Sequence, residues 1–151
     1  MKKQYTKKQI MEAISYWKNQ LRRGNYKKLN EAFETGKFVF GLGTSDYGGG
    51  SDEGIILDSP EQVKAKGLQW LQNEFASWLE TIKDANPADY VDAKSEFAKF
   101  NRSYLSKCIA KLLSDFQATG DAEYKLGPID QADDAWLYLK SASPADVEAF
   151  G

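Results

Sequence analysis

The residue types that carry most enzyme chemistry are thin in this sequence. Histidine is absent, which removes the commonest general acid–base group and the commonest zinc ligand. Ser-His and Cys-His nucleophilic machinery therefore cannot be assembled within the chain. Carboxylate chemistry and the binding of hard cations remain. The acids Asp46, Asp52, Glu53 and Asp58 surround a glycine-rich tract and raise the question of a calcium loop. A loop of the EF-hand type needs oxygen ligands at fixed offsets and a glutamate at its twelfth position. Counted from Asp46, the third and fifth positions are Gly48 and Gly50, and the twelfth is Leu57. The spacing fails, so these acids read as solvated loop charge and no metal site is expected.

The glycine tract itself invites a nucleotide reading. Gly41-Leu42-Gly43 follows an apolar run in the manner of a phosphate cradle. A dinucleotide fingerprint needs its glycines to open a helix, and here a second strand-like run follows. A P-loop needs Gly-Lys-Ser/Thr, which is missing. The expectation is a mobile hairpin loop, first to be cleaved between Gly43 and Glu53. Loops often carry function, so Tyr47 at the tip, with Asp46, Asp52 and Glu53, is the candidate partner-binding set. No catalytic residue and no cofactor are expected.

Charge is divided along the chain. Residues 1–37 carry a net charge of +7 and residues 38–151 one of −9, within a total of −2. Lys7, Lys8, Lys18, Arg22, Lys27 and Lys28 fall along the basic segment. At about 100° per residue, Lys7, Lys18 and Arg22 share one flank of a helix. Clustered cations are what phosphate contacts require, so these six form the alternative, nucleic-acid-binding set. Asp115, Asp121, Glu123, Asp130, Asp133, Asp134, Asp146 and Glu148 make the C-terminal part acidic. A mimic of nucleic-acid phosphates would look like this, and so would an ordinary solvated face.

These groups need elements to position them. Thr6 and Gln9 read as a capping box, with Tyr5 and Ile10 as its hydrophobic staple. Ile10, Ile14, Trp17 and Leu21 then make an apolar stripe that stops at Gly24. A shorter helix is predicted from Tyr26 to Glu34. Residues 37–40 and 54–57 read as two short strands around the loop. Ser59-Pro60-Glu61-Gln62 starts a second long helix with the core stripe Leu68, Leu71, Phe75, Trp78 and Ile82. Gly67 within it weakens the helix by about 1 kcal/mol relative to alanine and invites the close approach of a neighbouring backbone. Asn86-Pro87 opens a third long helix, whose apolar face rotates along its length before it ends at Gly120. A short connection makes the last two helices an antiparallel hairpin. Tyr124 to Leu126 reads as a third strand, Asp133 to Lys140 as a short helix, and Ser143-Pro144 as the start of a final turn.

One resemblance adds to this reading. Tyr5-Thr6-Lys7-Lys8-Gln9-Ile10, with Ala13-Ile14, Tyr16-Trp17 and Leu21, resembles the opening helix of uncharacterised proteins from gut bacteria and their phages. It spans residues 5–21 and implies an origin; it carries over no catalytic residue.

At 151 residues the chain fits one domain with a sizeable core. No run of eighteen apolar residues occurs, so no membrane span or membrane partner is expected. The charged start predicts no secretory signal, and the location expected is the cytosol of a bacterium or infected host. Cys108, the single cysteine, falls in an apolar helical pattern and should be a buried, inert thiol. The fold expected is α+β and mostly helical: a long-helix hairpin, flanking helices and a small antiparallel β-hairpin or sheet. The leading function is a non-enzymatic accessory protein of a phage or mobile element that binds a protein, either a host factor or a virion component. A nucleic-acid-binding module built on the basic segment is the alternative, and a small carboxylate-dependent enzyme ranks third. Composition is silent on the oligomeric state.

Overall fold

A computed structural model describes residues 6–22, 35–46 and 49–151, with backbone alone for 17–22. The predicted helix from Tyr26 to Glu34, the core role of Trp17 and Leu21, and the position of Tyr47 lie outside the described residues. The chain is a mixed α+β fold, with most of its helices packed on one face of a four-stranded antiparallel sheet and the last short helix on the other.

Helix α1, Lys7–Arg22, starts where its capping box says it should. The Gln9 N–H donates to Thr6 Oγ1 at 3.1 Å, and the Thr6 N–H donates back to Gln9 Oε1 at 2.9 Å. Its inward face differs from the expected one. Ile10 and Ile14 are 48% and 47% exposed, while Tyr16 is buried and stacks on Phe116, ring centroids 5.8 Å apart. Gly120 explains the rotation. A Cβ there would lie 1.6 Å from Tyr16 Cε2, so the glycine that ends a later helix also makes room for this ring.

Strands β1, Phe38–Asp46, and β2, Gly49–Leu57, pair in continuous register from Phe38↔Leu57 to Asp46↔Gly49. The expected loop over residues 41–53 is therefore corrected: most of it is ladder. A 3-10 turn, Pro60–Lys64, precedes α2, Lys66–Ala85. Gln62 reaches back to the Asp58 N–H at 2.8 Å, one residue before the expected cap at Ser59. At Gly67 a Cβ would meet Val63 and Phe40 side-chain atoms at 2.9 and 3.1 Å, so the close neighbours are side chains and not the backbone expected from the sequence.

The third long helix is broken. A 3-10 turn, Pro87–Asp89, leads to α3, Tyr90–Phe97, and then α4, Arg102–Thr119, begins afresh. The Asn101 side chain caps α4 by accepting from the Tyr104 N–H at 2.9 Å. The rotated apolar face seen in sequence marks this break. Trp78 is half-buried against Phe75 and Phe97 where α2 meets α3. Cys108 is buried.

Strand β3, Asp121–Lys125, and strand β4, Asp134–Ser141, complete the sheet in the order β2-β1-β4-β3. The helix predicted over Asp133–Lys140 is a central strand. Ala135-Trp136-Leu137-Tyr138-Leu139 is apolar throughout, so periodicity cannot separate strand from helix there. Pairing on both sides, to β1 and β3, decides it. Helix α5, Pro144–Phe150, closes the chain with a full capping box between Ser143 and Asp146.

Strand alternation divides the side chains into two sets. Phe40, Leu42, Leu57, Ala122, Ala135, Leu137 and Leu139 face the helices and join Leu71, Leu105, Ile109, Leu112 and Phe116 in the main core. The other face carries a satellite cluster of Val39, Tyr138 and Ala142, against which Ile56, Trp136, Val147 and Phe150 pack. No helix among the described residues is long and apolar enough to cross a membrane.

Candidate functional site

The sheet face away from the main core is covered at one end by α5 and carries an organised group of aromatic and charged side chains. Its construction begins with glycine. Gly41 and Gly43 alternate on β1 and both point to this face, opposite Tyr138 and Trp136 on β4. A Cβ on Gly41 would lie 2.1 Å from Tyr138 Cζ, and one on Gly43 would lie 2.4 Å from Trp136 Cε2. The two rings thus lie across β1 against bare backbone. Any larger residue would force them off the sheet.

Tyr138 reaches the farthest. Its hydroxyl donates to Asp52 Oδ1 on β2 at 2.5 Å, bridging two strands over β1. Burial, then the hydrogen bond and charge of Asp52, push its pKa far above the usual phenol value, so it stays a neutral donor. Lys140 stands with Nζ 5.6 Å from the Tyr138 ring centroid and 3.9 Å from Asp146 Oδ2. This is a cation held jointly by a ring and a carboxylate.

Trp136 is the half-buried ring of the pair. With one face of its indole against Gly43, its solvent side opens on a shallow depression that it shares with Glu123, Lys125 and Asp134. Lys125 is opposite Trp136 in the ladder, yet its Nζ lies 3.7 Å from Asp134 Oδ2. Asp52 is opposite Gly43 on the far side of the ring. Two carboxylates and one ammonium therefore border the depression beside the indole, while Asp52 is held by Tyr138. Such a surface can stack a planar or cationic group and pair with its charge.

A second concavity of about 160 Å³ lies between α1 and the sheet, lined by Ile10, Ala13, Ile14, Phe38, Pro60 and Phe116, with Glu12 also on its wall. Burial, and then the charge and hydrogen bond of Glu61, raise the Glu12 pKa above the usual carboxylate value. Among the described residues no three acidic or cysteine side chains are grouped to hold a metal ion.

Among the described residues, the acids singled out from sequence are divided between the two faces of the hairpin. Asp46 ends β1 opposite Gly49, Asp52 joins the open face, and Glu53 follows on the alternate, helix-facing side of β2. Tyr47 lies outside the described residues. In the basic set, Lys7 and Lys8 are exposed on α1, and Lys8 lies 3.9 Å from Glu12. The side chains of Lys18 and Arg22, and all of Lys27 and Lys28, are outside the described residues. Trp136, Tyr138 and Lys125 were not singled out as a site, and Glu123 and Asp134 were named only within the acidic C-terminal set. The signal for the two rings was a matched spacing: glycine at 41 and 43, aromatic at 136 and 138, each with the period of one strand face. The chain matches no protein-family model, no curated protein and no solved structure, and its site is read from its own geometry.

Proposed function

We propose that this chain is a non-enzymatic accessory protein of a phage or mobile element that binds another protein through the open face of its sheet. The observation that carries the reading is the half-buried Trp136, seated on Gly43 beside a tethered Tyr138. Tryptophan and tyrosine are the side chains most often found as energetic anchors of protein interfaces. Rings already held in place lose little freedom on binding. The phage origin rests on the resemblance of the first helix alone.

The test is retention of partners from a bacterial lysate by the tagged chain, with and without nuclease, repeated with Trp136→Ala. A protein kept after nuclease treatment and lost with Trp136→Ala supports the reading. Retention indifferent to Trp136 refutes the proposed surface. The second reading, nucleic acid held by Lys7, Lys8, Lys18, Arg22, Lys27 and Lys28, draws on the +7 charge of residues 1–37. It requires retention that nuclease abolishes and that weakens steeply with salt.

A further inference from the structure

Resting on the protein-binding reading, we infer that the open face recognises a basic segment of the partner, with an arginine or lysine seated on Trp136 in place of the chain's own Lys125.

The argument starts from a pattern that β4 shows twice. Around Tyr138, an aromatic ring, a nearby carboxylate from Asp146 and the ammonium of Lys140 already form a filled cation site. One pleat along the same face, Trp136 offers the better ring for a cation, since indole attracts cations more strongly than phenol. Carboxylates stand beside it as well: Asp134 two residues before it on β4 and Glu123 on β3. The neighbouring cation, Lys125, leans to Asp134 at 3.7 Å with its side chain 74% exposed. Such an exposed pair is worth little, about 0–1 kcal/mol, so an incoming cation can displace it.

Charge complementarity then names the ligand. Glu123 and Asp134 against Lys125 leave the depression beside the indole at a formal −1. A polyanion would meet repulsion from both carboxylates. A guanidinium suits the site best, because it can lie flat on the indole while its edge donates to a carboxylate. The stretch of sheet between α5 and β3 suits an extended peptide laid across it.

The test uses the full chain labelled with nitrogen-15 and follows the indole N–H resonance of Trp136, identified by its loss in Trp136→Phe. The probe is an acetylated and amidated peptide of alternating arginine and glycine. Controls are the glutamate–glycine peptide of equal length and a single-stranded oligonucleotide. The basic peptide should move the Trp136 resonance saturably, and less so as salt rises from about 50 to 200 mM. Glu123→Gln should weaken it about threefold, the loss of one exposed charge pair. Lys125→Gln should strengthen it by a similar factor, because it frees Asp134; for an anionic ligand that substitution would weaken binding. Both substitutions are at exposed positions, so neither disturbs the satellite cluster. Movement by the acidic peptide or the oligonucleotide, or weaker binding of the basic peptide by Lys125→Gln, overturns the inference while leaving a partner at this face in place. A resonance unmoved by the basic peptide at millimolar concentration also overturns it, and retention of the partner from lysate then judges the protein-binding reading separately.

Discussion

Gly41→Ala is a small change with a large expected consequence. The new methyl carbon would stand 2.1 Å from Tyr138 Cζ and 2.3 Å from its hydroxyl oxygen, far inside contact distance. The ring cannot slide along the sheet, because its hydroxyl is tied to Asp52 on the far strand. It must lift, breaking that bond and exposing ring surface. A hydrogen bond to a charged acceptor contributes about 1.5–3 kcal/mol. Re-exposing about 60 Å² of ring costs about 1.5 kcal/mol at the usual 25 cal/mol per Å². Replacing a strand glycine by alanine returns about 0.5–1 kcal/mol. The net loss is about 2–4 kcal/mol, measured by urea unfolding of both proteins. At Gly43 the ring overhead is the half-buried Trp136, with no strand-spanning bond to lose, so Gly43→Ala should cost about 1 kcal/mol or less. The decisive control is Gly41→Ala in a Tyr138→Ala background, where the clash is gone and the substitution should be neutral or stabilising. A Gly41→Ala loss below about 0.5 kcal/mol, or one that persists without the ring, refutes the account.

Other consequences can be checked alongside it. Ser143→Ala removes half of the capping box of α5 and should cost about 1 kcal/mol, with amide exchange faster in α5 than in the sheet. Leu112→Ala, at a fully buried position on α4, should cost about 2–5 kcal/mol in the same unfolding assay. Gly120 holds a left-handed φ of 78° and its Cβ site is filled by Tyr16, so Gly120→Ala should destabilise by more than the about 1 kcal/mol that the backbone conformation alone accounts for. Glu12 has its pKa raised by burial and by Glu61, so folding favours its neutral form. Its contribution is fully present below the ordinary value of 4.5 and is lost as pH rises through the raised one. Glu12→Gln should therefore stabilise the chain at pH 7 by up to about 0.5 kcal/mol. That gain should vanish below the ordinary carboxylate range, as thermal unfolding across pH would show.

Sequence reading succeeded where the determinant is local. Thr6 with Gln9, Ser143 with Asp146, and Gly120 as a helix stop all act within one turn of chain, and each was legible. It failed where the determinant is distant. Ile10 and Ile14 have correct helical spacing, but the inward face of α1 is set by Tyr16 meeting Gly120, more than a hundred positions away. Residues 135–139 are apolar at every position, and only the neighbouring strands make them a strand. The long helix read from Asn86 to Thr119 carried its break as a rotated stripe. That pattern fits one curved helix or two straight ones until the cap at Asn101 is seen.

The open face was hidden for a related reason. A glycine tract reads as loop because glycine weakens a strand when nothing else fills the space it leaves. Here the space is filled from another strand, by rings whose own segment reads as helix. Each half of the site thus disguised the other: Gly41 and Gly43 look irregular without Tyr138 and Trp136, and the rings look like core residues without the glycines. Glycine at two-residue spacing beside a strand-length apolar run, together with two aromatics at the same spacing elsewhere, is the joint pattern to seek. The pairing Gly41↔Tyr138 and Gly43↔Trp136 shows its physical content. Two missing side chains on one strand are the floor on which two large ones on the next can lie flat, and of those two it is Trp136 that keeps a side toward solvent.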